Sequence, residues 1–376
     1  MLMGWLPKSR WWRFFVLAAI GGFLFVVALG VSAFFLFRSP KFQTWLFTMI
    51  MARQSRGPLE EPREPRLPME AAAQLATNAA ALRSAAELFA TTNVWSAHLR
   101  FTSNQWAALG PKRVPPVPGF MRPDGTIILR NTNASRAGVA GVFGFELPWS
   151  KAILEFGNTT FTNVAVRFKG NGTFLGAVRS YKRPFKIDLN KHVKSHGLAG
   201  RTTLNFGNLS ADLSLLSDTL AYEFFREAGV PAPRTAFARM LLTIDGKFAE
   251  RLLGLYVFVE NPDANWARER FGVDGMALFK PVTYELFKDL GGDWKAYSDI
   301  YDPKTKLTPK QQGRVIEFAR LVTRASDAIF TAQVGEFLDL DEFARFLACE
   351  VMLANYDGIL NTGQNYLIYL DPRADR

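Results

Sequence analysis

The chain has 376 residues, of which 48% are apolar and 14% aromatic, so it is not a disordered chain and a large core is expected. Its formal net charge is +11, but Lys and Arg are spread along the whole sequence rather than gathered in a dense block. Nucleic acid is therefore not an expected partner. The single cysteine, Cys349, excludes an intramolecular disulfide, and none of the three histidines has a recognisable relation to it, so cysteine catalysis is not expected.

The first predicted element is a membrane span. The segment 14–37 contains no charged residue and as a helix reaches about 36 Å, enough to cross a hydrocarbon core of about 30 Å. It is longer than a signal-peptide core and ends in four bulky residues, which indicates an uncleaved anchor. Three cations precede it and favour a cytoplasmic N-terminus at 1–13. We therefore expect a single-pass membrane protein whose remaining chain lies on the extracytoplasmic side.

A linker and a helix are predicted between the membrane and the folded domain, over 38–93. Gly57–Pro68 holds four prolines among alternating Glu and Arg, which is typical of a stiff linker. Met69–Ala90 is rich in Ala, Leu and Glu and predicts a helix. A first strand is expected at Val94–Leu99, where the main domain, 94–376, begins.

The main domain is predicted to be α+β. Val164–Phe168 and Pro184–Leu189 alternate with period two, as strands do. Asp212–Ala228 predicts a helix with Asp212 as its N-cap and Gly229 as its stop. Further strands and helices are expected at Ala238–Ile244, Leu252–Glu260, Thr308–Gln333, Leu340–Tyr356 and Tyr366–Leu370. Strands with one helix, followed mainly by helices, favour an α+β fold with two lobes.

Several blocks in this order resemble the spore-coat kinase (CotH) family. They are Val166–Asn171, Lys182–Lys186, Leu204–Phe206, the Asp212 helix, Gly229–Thr235, Gly254–Glu260, Asn355–Asp357 and Asn365–Tyr369. The resemblance implies an atypical two-lobed protein-kinase-like domain that works outside the cytosol. It also implies that ATP and a divalent metal, Mg²⁺ or Mn²⁺, are used to phosphorylate hydroxyl groups of proteins in the envelope or coat.

Phosphoryl transfer needs cations to hold the phosphates. Lys186 projects from the polar face of its predicted strand and is the candidate phosphate lysine, with Lys169 and Lys182 as alternatives. Gly170 and Asn171, in the sequence Gly170-Asn171-Gly172, could bring backbone amides to the phosphates or could simply form a turn. No Walker-type glycine-rich sequence is present, so a P-loop is excluded.

Glu223 lies in an apolar patch of the Asp212 helix, where a buried carboxylate would need a cation. This matches the lysine–glutamate pair of kinases; the alternative is a glutamate on the helix surface. Asp357 follows the predicted helix Leu340–Tyr356 and is the candidate base or orienter of the acceptor hydroxyl, the alternative being a turn cap. Asn365 or Asn361 would bind the metal, because carboxylate and amide oxygens suit Mg²⁺ or Mn²⁺.

The sequence departs from the family pattern at its end. The family continues into an acidic Asp-x-Asp segment that binds metal, and neither Asp371 nor Asp375 is a convincing match. The expectation is a C-terminally incomplete domain or a catalytically inactive relative. The second hypothesis is therefore a membrane-tethered scaffold for envelope or spore-coat assembly.

A hydrolase is not expected, because no nucleophile elbow or zinc-binding helix is present. His192 and His196 are four residues apart, a spacing that could suit a metal on a helix. Their polar, glycine-ended surroundings instead indicate a solvated loop.

Overall fold

The computed structural model describes residues 21–22, 79, 82–114, 133–136, 141, 144–281, 287–361 and 363–376. The predicted cytoplasmic segment and membrane helix lie outside the described residues, except for Gly21 and Gly22, and so does most of the predicted linker. Over the described ranges, no helix has both the length and the apolar character that a membrane crossing requires. The fold described here belongs to the compact unit 51–376.

The helices and strands of this unit alternate along the chain. In order they are α1 Ala85–Leu88, β1 Val94–Phe101, α2 Ser103–Ala108, β2 Lys112–Arg113, β3 Phe145–Glu146, β4 Ser150–Phe156, β5 Thr159–Phe168, α3 Gly172–Gly176, β6 Phe185–Asp188, β7 Thr203–Gly207, α4 Ser217–Glu227, β8 Thr235–Ile244, β9 Phe248–Val259, α5 Ala264–Phe271, β10 Ala277–Phe279, α6 Trp294–Tyr301, α7 Pro309–Arg324, α8 Asp327–Phe337, α9 Leu340–Met352 and β11 Ile368–Leu370. The predicted α+β class is confirmed.

A closed barrel forms the N-terminal part of the unit. Its strands are ordered β1-β4-β5-β6-β7-β9-β8, and β8 returns to β1 by a parallel pairing that runs from Val94↔Phe237 to Phe101↔Ile244. Because side chains alternate across a strand, Phe185 and Ile187 of β6 point into the barrel and are fully buried. The same alternation turns Lys186 and Asp188 outward.

The C-terminal part combines helices with a short ribbon in which β10 pairs antiparallel with β11. The segment after α6 runs along the other side of β10, where Phe279 bridges Pro303. Two small apolar clusters hold this part together, one around Phe279 and Tyr297 and the other around Trp266 and Leu278. The ribbon therefore fixes the positions of the segments that enter and leave it.

Two predicted helix boundaries are wrong. Helix α4 begins at Ser217, and Asp212 instead accepts hydrogen bonds from Ser214 and Ser217 in the turn before it. The single helix predicted over Thr308–Gln333 is broken, because the backbone becomes extended at Ala325 and the Ser326 side chain caps α8 by accepting from the Ile329 amide. Serine favours such caps over helix interiors.

Candidate functional site

Two adjacent strands of the barrel carry basic side chains on its outer face. Arg167 of β5 lies directly opposite Lys186 of β6. Lys169 follows two residues after Arg167, and its amide donates to the Pro184 carbonyl oxygen at 3.1 Å. Like charges directly opposite each other destabilise a sheet. The structure nevertheless keeps Arg167 and Lys186 opposite each other.

The C-terminal part supplies two more cations to the same place. Lys280 directly follows β10, and Lys304 donates its backbone amide to the Leu278 carbonyl oxygen at 2.7 Å. Both lysines repel Lys186 electrostatically, and Lys280 also repels Lys169. We call the region lined by Arg167, Lys169, Lys186, Lys280 and Lys304 the basic cleft.

The basic side chains of the cleft are crowded by protein and by one another. Burial, with further repulsion from Lys280, Lys186 and Arg167, lowers the pKa of Lys169 to about 7. Burial and the neighbouring Arg167 also lower the pKa of Lys186, to about 8. Lys280 remains accessible to solvent, yet burial is still the largest cause of its lowered pKa. These lysines therefore combine partial access to solvent with strong mutual repulsion.

Three aspartates face these cations. Asp218 of α4 attracts Lys169, Asp263 attracts Lys186, and Asp302 attracts Lys280. Burial raises the pKa of Asp218 although part of its surface is accessible to solvent. A Cβ placed on Gly207 would lie 3.9 Å from Asp218 Oδ2, so this carboxylate sits against the end of β7. The described basic side chains of the cleft therefore outnumber its carboxylates.

The Gly170–Asn171 turn adjoins the cleft, but its contacts differ from those predicted. Gly170 has a φ of 78°, which favours glycine, and its carbonyl oxygen accepts from Arg136 at 3.3 Å. Asn171 also accepts from Arg136 through its side-chain oxygen. The turn thus meets a guanidinium with its oxygens. Lys182, the other alternative phosphate lysine, lies instead over the ring of Tyr256, 5.9 Å from its centroid.

Glu223 does not take the position predicted for the carboxylate partner of the lysine. Its side chain is exposed, and it interacts with Arg226 one turn along the same helix. Asp218 precedes it by five residues, about 140° around the helix axis, and faces Lys169. The acidic residue that α4 brings to the basic cleft is therefore Asp218, and Glu223 lies on the helix surface, as the alternative reading of this residue expected.

Asp357 lies in a compact loop after α9. The amide nitrogen of Asn365 donates to both the backbone oxygen and Oδ2 of Asp357, each at 2.7 Å. The amide nitrogen of Asn361 donates to the Tyr356 backbone oxygen at 2.9 Å. Asn365 thus orients the Asp357 carboxylate, which remains exposed to solvent. Its predicted role as base or orienter stays a prediction.

A buried carboxylate, Glu350, anchors this loop. Glu350 is 3% exposed, and both of its oxygens accept from the Asn355 amide nitrogen at 3.0 Å. The Ile359 amide also donates to it, while burial, the largest influence, raises the pKa of Glu350. Gly358 packs so closely that a Cβ there would lie 1.8 Å from Glu350 Oε2. Glu350 therefore sets the path of the backbone around Asp357.

The β10–β11 ribbon links the Asp357 loop to one residue of the basic cleft, Lys280. Phe279 pairs with Ile368, so Lys280, which follows β10, and Asn365, which lies three residues before β11, leave the ribbon at the same end. Burial and the nearby Tyr301 raise the pKa of Tyr366, which places the residue after Asn365 close to the one before Asp302. A basic residue of the cleft and the loop that holds Asp357 thus leave the ribbon at the same end.

The predicted metal ligands are not arranged as a donor set. Asn365 turns its amide nitrogen, a hydrogen-bond donor, toward Asp357, so the two side chains do not point oxygens at a common position. Elsewhere in the described ranges no group of three or more His, Cys, Asp or Glu side chains is placed to hold a metal ion. The donor chemistry around Asp357 therefore does not fit the predicted Mg²⁺ or Mn²⁺ site.

Several residues of the candidate site were not predicted from the sequence. Arg167 shares the outer face with Lys169 by simple alternation, which the pattern could have shown. Glu350 is a charged residue within an apolar helix, another usable signal. Lys280 and Lys304 come close to β5 and β6 only through tertiary pairing, which no local pattern indicates.

The structure shows the surroundings of the single cysteine and of the two spaced histidines. Cys349 is buried, and burial followed by the charge of Glu350 raises the pKa of its thiol. His192 and His196 lie in a region of turns, where His196 packs edge-on against Phe161. Neither observation supports a nucleophilic cysteine or a helical metal site.

Comparison with known proteins identifies the class. A family model described as "CotH kinase protein" matches residues 166–376, more than half of the sequence, and the chain belongs to this family. Among characterised relatives, "Inner spore coat protein H" of Bacillus subtilis (strain 168) is 29% identical over 162 residues. The alignment covers 42% of this chain and 42% of that relative.

Proposed function

We propose that this chain is a CotH-like atypical protein kinase, anchored by its N-terminal segment and acting on envelope or coat proteins outside the cytoplasm. The observation that carries the proposal is that Lys280 of the basic cleft and Asn365 of the Asp357 loop leave the β10–β11 ribbon at the same end. Phosphoryl transfer requires that combination of phosphate-binding cations and a group that orients the acceptor.

In the proposed mechanism, ATP supplies the γ-phosphoryl group and the protein positions it. Lys186 and Lys169 bind the phosphate oxygens and stabilise the negative charge that develops on the leaving group. Asp357, oriented by Asn365, accepts the proton of the acceptor hydroxyl as that oxygen bonds to the γ-phosphorus. The bond between the γ-phosphorus and the β–γ bridging oxygen breaks, and ADP leaves. No step is assigned to a metal ion.

The alternative proposal is a catalytically inactive scaffold for envelope or coat assembly. It is favoured by the lack of a fitting metal donor set around Asp357 and by the printed name of the relative, a spore coat protein. Such a scaffold would retain the basic cleft and bind phosphates without transferring them.

The test uses the full-length chain purified in detergent, with calorimetry for ATP binding and radiolabelled phosphate for transfer. Lys186→Ala should weaken ATP binding by at least about tenfold, the loss of one hydrogen bond to a charged group. Asp357→Asn should preserve binding and reduce transfer by at least about a hundredfold. Lys194→Ala, which changes an exposed lysine of the His192–His196 loop, is the matched control.

The two proposals predict different results. Binding with transfer supports the kinase, and binding without transfer to any envelope extract supports the scaffold. If the wild-type chain binds no ATP, both the kinase and the phosphate-binding scaffold are refuted.

A further inference from the structure

We infer that Trp149 is a positioning residue of the basic cleft, whose indole ring holds the Arg167 guanidinium beside Lys186 so that both cations bind the same anion. This inference rests on the proposed function and deepens it, because it adds an aromatic residue that acts through one cation of the phosphate-binding site. Trp149 itself is assigned no contact with the ligand.

Strand pairing places Trp149 next to Arg167 on the outer face of the barrel. Trp149 directly precedes β4, whose first residue, Ser150, pairs with Val166 of β5. Trp149 therefore lies beside the next residue of β5, Arg167. Within β4, Ser150 is buried and Lys151 is exposed. Because side chains alternate across a strand, Trp149 shares the outer face with Lys151.

The Trp149 ring contacts two cations. The Cζ atom of Arg167 lies 5.2 Å from the ring centroid, and the Nζ atom of Lys191 lies 4.4 Å from the same centroid. Both distances are within the range over which the face of an aromatic ring attracts a cation, and tryptophan is the strongest partner of this kind. The Trp149 side chain is only partly exposed, so water weakens the attraction less than at a free surface. The ring therefore restrains the Arg167 guanidinium.

Arg167 requires such a restraint because it faces another cation. Lys186 lies directly opposite it in the β5–β6 pairing, where like charges repel. Asp302, a carboxylate that attracts Arg167, already forms an ion pair with Lys304 at 2.5 Å. An aromatic ring attracts the guanidinium without neutralising it. The positive charge of Arg167 thus stays available to an anion.

The Arg167 guanidinium also keeps hydrogen-bond donors for a ligand. Its Nη1 atom donates to the Phe168 carbonyl oxygen at 3.2 Å, and within the described ranges no other hydrogen bond engages this side chain. A guanidinium carries five N–H groups in a planar fork that matches the geometry of phosphate oxygens. The remaining donors are therefore free to bind phosphate oxygens beside Lys186.

The test compares the two cations that share the ring. Trp149→Leu removes the aromatic face, Trp149→Phe keeps a weaker one, and Lys191→Ala removes the second cation while leaving the ring and Arg167 in place. The full-length chain in detergent is titrated calorimetrically with ATP in the presence of Mg²⁺. Trp149→Leu should raise the Kd about three- to tenfold, Trp149→Phe should raise it less, and Lys191→Ala should change it by less than about twofold. In the Arg167→Gln background, Trp149→Leu should cause no further loss.

A second readout needs no ligand. When Trp149→Leu releases the Arg167 guanidinium, the repulsion that Lys186 experiences falls, and the pKa of Lys186, about 8 in the unliganded protein, should rise. NMR titration of the Lys186 side-chain nitrogen measures this pKa, which Lys191→Ala should leave unchanged. A ring that only filled space would not produce this difference between the two variants.

An unchanged ATP Kd in Trp149→Leu, or an equal loss in Lys191→Ala, overturns the inference and leaves the proposed kinase intact. A further loss from Trp149→Leu when Arg167 is already replaced also overturns it, because the ring would then act independently of Arg167. If the wild type binds no ATP, the proposed function and the phosphate-binding role of Trp149 both fail, and the Lys186 titration alone decides whether the ring holds Arg167. Circular dichroism of each variant separates loss of binding from loss of folding.

Discussion

The contact between Gly358 and Glu350 provides the most direct test of how the Asp357 loop is built. A methyl group on residue 358 would lie 1.8 Å from Glu350 Oε2 and 2.7 Å from the Asn355 amide nitrogen. Both distances are shorter than van der Waals contact, and both atoms are fixed by their mutual hydrogen bonds. Gly358→Ala should therefore destabilise the protein by about 1–3 kcal/mol through overpacking.

Glu350→Ala should cost a similar or larger amount for a different reason. It removes the acceptor of the Asn355 and Ile359 hydrogen bonds and leaves these partly buried donors without that partner, at up to about 1–3 kcal/mol each. The same change also removes the atom with which the new methyl group would clash. In the double variant, the two losses should consequently not add, and the coupling energy should be at least about 1 kcal/mol.

The assay is equilibrium unfolding in urea of the wild type, both single variants and the double variant, monitored by far-ultraviolet circular dichroism. Gly272→Ala is a control for the general effect of a side chain at a glycine, because nothing lies within 4 Å of a Cβ placed there, although its φ of 67° adds strain. If Gly358→Ala leaves stability unchanged, or if the two losses add within about 0.5 kcal/mol, Glu350 does not hold the loop as described.

Three further predictions concern ionisable groups. Affinity for ATP should fall as the pH rises from about 6.5 to about 8.5, because Lys169 has a pKa of about 7 in the unliganded protein and an anion binds its protonated form. Calorimetry of the wild type and of Lys169→Gln would show whether the decline depends on this residue. Glu260→Ala should lower the free energy of unfolding by about 3–5 kcal/mol, because it leaves Arg201 and Arg234 without the buried carboxylate that they share. Glu269→Ala, at the solvent-accessible edge of the same network, should cost less. Equal losses in urea unfolding would contradict this prediction. Asp218→Asn should lower the pKa of Lys169, and Glu223→Gln should leave this pKa unchanged; NMR titration of the Lys169 side-chain nitrogen measures both. If Glu223→Gln lowered the pKa of Lys169 and Asp218→Asn did not, Glu223 would be the carboxylate that interacts with Lys169.

Local patterns predicted the parts of the site that lie on single strands. Alternation alone placed Lys186 outward between the buried Phe185 and Ile187, with Lys169 and Lys182 kept as alternatives. The carboxylate that α4 brings to the site was harder to predict from sequence. A small error in the start of this helix changes which of its side chains are expected to face the sheet. The apolar surroundings of Glu223 suggested burial, whereas packing turned Asp218 toward Lys169.

Closure of the barrel was not predictable from local patterns. It depends on the parallel pairing of β1 with β8, whose residues are about 140 positions apart, as in His98↔Leu241. Lys280 and Lys304 likewise approach β6 only because the ribbon and the segment after α6 pack beside the barrel. Contacts of such long range leave no period in the sequence, so neither the barrel nor the full set of cations could be read from it.

The basic cleft and the Asp357 loop, the two halves of the proposed site, are held by separate structural elements. Phosphate binding and phosphoryl transfer should therefore respond to different substitutions. The cations depend on barrel strands and on segments beside β10, whereas the geometry of Asp357 depends on Glu350 and Asn365. A change that loosens the Asp357 loop should therefore abolish transfer while leaving phosphate affinity intact. The difference between a kinase and a phosphate-binding scaffold would then lie in this one loop. Glu350→Gln, which keeps the shape of the side chain and removes its charge, should preserve the ATP Kd and lower only the rate of transfer. An equal loss of both would show that the cleft and the loop form a single unit.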